Sequence, residues 1–97
     1  MDITLKTTDQ AVTLSLSGRL DTVTAPALDS AIRELDGSTD LTLDMAGVSY
    51  ISSAGLRVLL SAQKKLQKTG SLKLTNVCAD VMEVFEMTGF AEILVIV

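Results

Sequence analysis

Apolar residues along the chain change their spacing several times, and each change predicts an element. Ile3 and Leu5 alternate with polar neighbours, and beyond the turn-prone Thr8-Asp9-Gln10 the residues Val12, Leu14 and Leu16 alternate with Thr13, Ser15 and Ser17. A period of two is that of a half-buried strand, so a hairpin ending at Gly18 is expected. The period then lengthens. Thr24 suits an N-cap, Pro26 is tolerated in a first turn, and Leu28, Ala31, Ile32 and Leu35 recur at helical spacing up to Asp36-Gly37. LTLDM (41–45) reads as a short strand, AGVSY (46–50) as a loop, and the helix that follows carries Leu56, Leu59, Leu60 and Leu66 on its core face before ending at Gly70. SLKLTNV (71–77) supplies another strand. A last helix over 79–88 sets Val81, Val84 and Phe85 on one side, stops at Gly89 and leads to a closing strand, ILVIV (93–97).

The resulting order, β-β-α-β-α-β-α-β, predicts a small α/β sandwich with a mixed, mostly parallel sheet, because single helices between strands make parallel crossovers. The 97 residues suffice for one modest core, so 1–97 is read as a single domain. In open sheets of this kind, functional residues gather past the carboxyl ends of the strands. The loops GRLDTVT (18–24) and AGVSYISSAG (46–55) fit that position, which puts Asp21 near Ser53.

Charge and inventory narrow the chemistry. A net charge of −4 opposes attraction to nucleic-acid phosphates or anionic lipid. The densest basic group, Lys64, Lys65 and Lys68, falls late in a helix, where cations complement the carbonyl end of the dipole. With no histidine, a Ser-His-Asp triad cannot be assembled, and with one cysteine, Cys78, neither an internal disulfide nor an ordinary zinc site is available. Phosphate-cradling glycine motifs are missing from the sequence. The carboxylate pairs Asp40/Asp44 and Glu83/Glu86 read as loop anchors or a solvated face. No enzyme, cofactor or metal is expected. The first residues have neither the basic nor the apolar region of a signal peptide, and the apolar run 93–97 is too short to span a bilayer, so a cytoplasmic location without membrane insertion is the expectation.

What remains is Ser52-Ser53 at a helix start. One serine hydroxyl is a good N-cap. The second, with Ala54 and Gly55 beside it, leaves a loop that another protein can approach closely. Phosphate there would meet the N–H end of a helix, which tolerates negative charge.

Gly18-Arg19-Leu20-Asp21, the stretch LTLDMAGVSYISSAGLRVLL (41–60) and Met87-Thr88-Gly89-Phe90 together resemble the STAS-domain anti-sigma factor antagonists of bacteria, across essentially the whole chain. That family's pattern falls here on Gly18, Leu20 and Asp21, on Asp44, on Ser53, Ala54, Gly55 and Leu56, and on Thr88, Gly89 and Phe90. The resemblance implies that Ser53 is phosphorylated by a partner that is both serine kinase and anti-sigma factor, and that a phosphatase removes the phosphate. It also implies that the unphosphorylated chain binds that partner and frees the sigma factor. The family commonly has Asp before the target serine; here Ser52 stands there, which makes Ser52 the alternative position of modification. Asp21, Ser52, Ser53, Ala54, Gly55 and Arg57 are the expected partner-binding residues, with Asp21, Ser53, Gly55 and Arg57 on one continuous face. The other reading is a constitutive scaffold or accessory subunit of a signalling or transporter complex, with the serine only a cap. Direct binding of nucleic acid is not expected.

Overall fold

The computed structural model describes residues 1–9 and 11–97; Gln10, part of the predicted turn, lies outside them. Strands β1 (Asp2–Thr8) and β2 (Ala11–Leu20) form an antiparallel hairpin, with Thr8 paired to Ala11. Helix α1 (Ala25–Arg33) leads to β3 (Asp40–Ile51), α2 (Ser53–Leu66) to β4 (Ser71–Thr75), and α3 (Ala79–Thr88) to a single 3-10 turn at Phe90–Glu92. The sheet order is β1-β2-β3-β4, with β2, β3 and β4 parallel.

Strand alternation puts the core on one side of the sheet. Val12, Leu14 and Leu16, then Leu41, Leu43 and Met45, then Leu72 and Leu74 are buried, and with Leu28, Leu59 and Phe85 of the helices they belong to one cluster. Each such side chain, fully buried, stabilises the fold by about 1.5–3 kcal/mol. The residues between them, Thr13, Ser15, Thr42, Asp44, Lys73 and Thr75, form the opposite, polar face, where Thr13 lies beside Thr42 and Thr42 beside Lys73. Lys65 ties the ends of α1 and α2, donating to the Ile32 and Arg33 carbonyls at 3.0 and 2.9 Å.

Several expectations are corrected. The segment 46–50 is not a loop: β3 runs through it to Ile51, with two register shifts against β2. Asp44 pairs with Ser15 but Gly47 with Ser17, so β3 carries an extra residue, and Asp44 Oδ1 takes the Ala46 N–H there at 3.1 Å. Past Met45 the inward residues are Val48 and Ile51, a spacing of three that hides the strand from a period-two reading. The hairpin strand likewise continues past Gly18 to Leu20.

The closing strand shrinks to one parallel bridge, Leu74 with Ile96, because Gly89 adopts a left-handed φ of 82° and the chain coils through Phe90–Glu92 before straightening. Helix α1 ends at Arg33, short of Leu35, and α2 ends at Leu66, where the Gly70 N–H caps the Leu66 carbonyl. On α2, Val58 and Ala62 are buried while Leu60 is only half-buried, so the core face is turned slightly from the expected one. Helix α3 has its expected bounds.

Candidate functional site

The parallel register carries β2 and β3 to a common end, pairing Arg19 with Tyr50 and Leu20 with Ile51. One bond then joins the two departing loops: the Ser52 N–H donates to the Leu20 carbonyl at 2.9 Å. Asp21 follows Leu20 and Ser53 follows Ser52, so both leave the sheet from this junction, as their place past the strand ends implies.

On the β2 side, Asp21 folds its own loop. Its Oδ1 accepts the N–H groups of Val23 and Thr24 at 3.0 and 3.1 Å. Thr24 occupies the N-cap of α1, yet its hydroxyl makes no cap bond. Instead it donates to the Arg19 carbonyl at 2.6 Å and accepts the Asp21 N–H at 2.9 Å, closing the loop upon itself. The Asp21 carboxyl is held below its ordinary value, first by the Thr24 N–H, with the Val23 N–H, the Thr24 hydroxyl and the Arg19 charge adding to it, against an opposing desolvation second only to the Thr24 N–H. Arg19 lies 3.7 Å from Asp21 Oδ2 and stacks on the Tyr50 ring, 3.9 Å from its centroid. Tyr50 and Val23 are large apolar side chains left exposed beside this loop, at 41% and 85%.

On the β3 side, Ser52 holds the extended backbone of an N-cap (φ −104°, ψ 176°), and its carbonyl accepts the first helical bond from Leu56 at 3.0 Å. Neither serine caps through its side chain. Ser52 Oγ is buried without a hydrogen-bond partner among the described residues, whereas Ser53, the first residue of α2, is exposed. The first-turn N–H groups therefore keep their partial positive charge beside an accessible hydroxyl.

Gly55 does not share the exposed face expected of it. It is buried, and a Cβ there would lie 2.7 Å from Leu20 Cγ and 2.8 Å from Ile51 Cγ1. Its bare Cα lets the start of α2 press onto the strand ends, which fixes where Ser53 is presented. Ala54 is half-buried against the core, and Arg57 is exposed one turn beyond Ser53.

The other motif residues have structural partners. Asp40 accepts the Ser71 hydroxyl at 2.8 Å, and Asp44 accepts the Asn76 amide at 3.0 Å, which heads the contacts that lower its carboxyl pKa. The Thr88 hydroxyl donates to the Val84 carbonyl at 2.8 Å. Arg19, Val23 and Tyr50 were not singled out by sequence reasoning; the one tyrosine of the chain, two residues before Ser52, was the available signal. Among the described residues, no group of three or more His, Cys, Asp or Glu is placed to hold a metal ion, and no helix is long and apolar enough to cross a membrane.

The strand ends of this mixed α/β domain thus present an exposed serine hydroxyl beside a self-bonded aspartate loop. The family described as "Mlab, STAS domain" matches residues 3–96. The chain is 30% identical over 96 residues to an anti-sigma-B factor antagonist of Bacillus subtilis, covering 97% of this chain and 88% of that protein. It is 35% identical over 96 residues to the putative anti-sigma factor antagonist BtrV of Bordetella bronchiseptica, covering 96% and 83%. The crystal structure of an anti-sigma factor antagonist from Mycobacterium paratuberculosis superposes with a TM-score of 0.86 at 27% identity, over 98% of this chain and 83% of that one. The fold is also that of a putative antagonist from Thermotoga maritima, with a TM-score of 0.87 at 20% identity over 97% and 84%. The chain belongs to the STAS-domain anti-sigma factor antagonist family.

Proposed function

We propose that this protein is an anti-sigma factor antagonist switched by phosphorylation of Ser53. Unphosphorylated, it binds an anti-sigma factor that is also a serine kinase, and the sigma factor is released; phosphate on Ser53 dissolves the complex and a phosphatase restores it. The observation that carries this reading is the exposed, uncapped hydroxyl of Ser53 at the first position of α2. A side chain with no bond to surrender is modified without loss to the fold, and the helix N-terminus tolerates the added charge. A dianion against a surface shaped for a neutral hydroxyl carries desolvation and repulsion costs of several kcal/mol, ample for release. Burial of Ser52 Oγ favours Ser53 as the acceptor over its neighbour. The relatives' names as antagonists support the same partner class.

The test has two stages. The protein is incubated with ATP and each purified anti-sigma factor of its source organism, phosphate is mapped by mass spectrometry, and binding is followed by calorimetry before and after. Phosphate on Ser53 with loss of the complex is the expected result. A complex that forms with no phosphate on either serine overturns the switch and leaves the constitutive scaffold.

A further inference from the structure

The exposed side of α2 below Ser53 is a row of cations without partners among the described residues. Arg57, Ser61 and Lys64 follow Ser53 at intervals of three and four residues, with Lys68 in the turn just beyond the helix, and all are exposed. Such spacing sets side chains on one helix face. From Ser53 to Lys64 the row is roughly 16 Å long at the helical rise of about 1.5 Å per residue. No acidic residue occurs in α2, although the chain as a whole carries a net charge of −4. The other cations near carbonyl or carboxylate groups are committed: Lys65 to the α1 carbonyls, Arg33 to Asp29, Arg19 to Asp21 and Tyr50. Arg57, Lys64 and Lys68 make no ion pair or hydrogen bond among the described residues. The helix dipole accounts for Lys64, and not for Arg57, which stands in the second turn.

We infer that this row, headed by Ser53, is a docking surface for an acidic face of the anti-sigma factor. The inference rests on the function proposed above and adds the partner's charge. Charge complementarity decides the occupant: Arg57 and Lys64 on one helix face, with Lys68 in the turn beyond, select an anionic protein surface, since a local row roughly 16 Å long matches a protein face and is short of the extended basic surface that a membrane or nucleic acid needs. The same geometry deepens the switch. Phosphate on Ser53 brings about −1.5 to −2 charges to the head of the row, one turn from Arg57. It repels the acidic partner and competes with it for the Arg57 guanidinium, so the modification removes attraction as well as adding repulsion.

The test compares the protein with a Lys64→Glu/Lys68→Glu variant, whose substitutions lie about three turns and more from Ser53 on exposed positions, with circular dichroism to verify the fold. The probe is the anti-sigma factor that passes the binding stage above. At low salt the variant is expected to bind at least tenfold more weakly, mainly through a slower on-rate, and the difference should vanish near ~1 M salt, where charges are screened beyond ~3 Å. A Lys64→Gln/Lys68→Gln variant should fall between. Equal affinity of the Lys64→Glu/Lys68→Glu variant, with Ser53→Asp still impaired, overturns the docking row and leaves the proposed function standing. If the unmodified protein binds none of the anti-sigma factors, the function itself fails and the row falls with it. Binding to phosphatidylserine vesicles that the Lys64→Glu/Lys68→Glu variant loses would identify the row as a lipid surface and likewise overturn the inference.

Discussion

Ser52 donates its backbone N–H to the carbonyl of Leu20 across 2.9 Å, and this bond couples the loop that bears Asp21 to the helix that bears Ser53. The coupling runs through main chain, so it survives any change of the serine side chains. Stability and the proposed switch are therefore separable at this site, and substitutions should resolve them.

Ser53→Ala removes a hydroxyl that makes no capping bond. Chemical denaturation should show a stability change within about 0.5 kcal/mol, the range of an exposed substitution, rather than the ~1 kcal/mol typical of a lost cap. Phosphate incorporation should disappear while binding to the anti-sigma factor persists.

Ser53→Asp places a carboxylate at the N-terminus of α2, where the dipole and free N–H groups favour it by roughly 0.3–1 kcal/mol. The thermal midpoint should hold or rise slightly. Affinity for the anti-sigma factor, read by calorimetry, should fall about tenfold or more, or roughly 1.4 kcal/mol.

Gly55→Val drives a branched side chain into Leu20 and Ile51, where a Cβ alone already lies 2.7 Å from Leu20 Cγ. Overpacking of this kind costs about 1–3 kcal/mol, visible as a lower urea midpoint. Combining it with Leu20→Ala should cost less than the two separate losses added together, because the truncated leucine leaves room for the valine.

Acid should weaken the fold through Asp21, Asp36 and Asp44. Each carboxyl is held below the ordinary value of 3.8 in the folded chain: Asp21 by Thr24 and Val23, Asp36 by Ser38, Asp44 by Asn76 and Ala46. A lowered folded pKa gives stability that is fully present above the ordinary value and lost as pH falls through the folded one. Denaturation midpoints should decline below about pH 4. Asp44→Asn, which keeps the shape but cannot ionise, should flatten that decline.

The residues that obeyed a period announced themselves. Val12, Leu14 and Leu16 gave β2, Leu28 and Ile32 gave α1, and Val81 and Phe85 gave α3, since one burial direction per element leaves a regular trace in the sequence. Met45, Val48 and Ile51 left none, because extra residues in β3 restart the alternation twice. ILVIV has the composition of a strand, but what decides pairing is how soon the chain straightens after Gly89, and the Leu94 N–H still turns back to the Phe90 carbonyl. At the candidate site, the placement of Ser53 and Asp21 past the strand ends was legible. The Arg19–Tyr50 stack was not, for it depends on the register between β2 and β3, as does the burial of Gly55.

The two extra residues of β3 act as a phase setting for everything downstream. Without one of them, the chain would reach Ile51 about 3.3 Å out of step with Leu20 and with its inward and outward sides exchanged. The Ser52 amide would then miss its carbonyl, and α2 would start from the wrong height on the sheet. Length in the stretch from Asp44 to Ile51 is thus constrained more tightly than residue type: exposed positions such as Ser49 should accept substitution, while a single-residue deletion there should misplace the serine as surely as removing it.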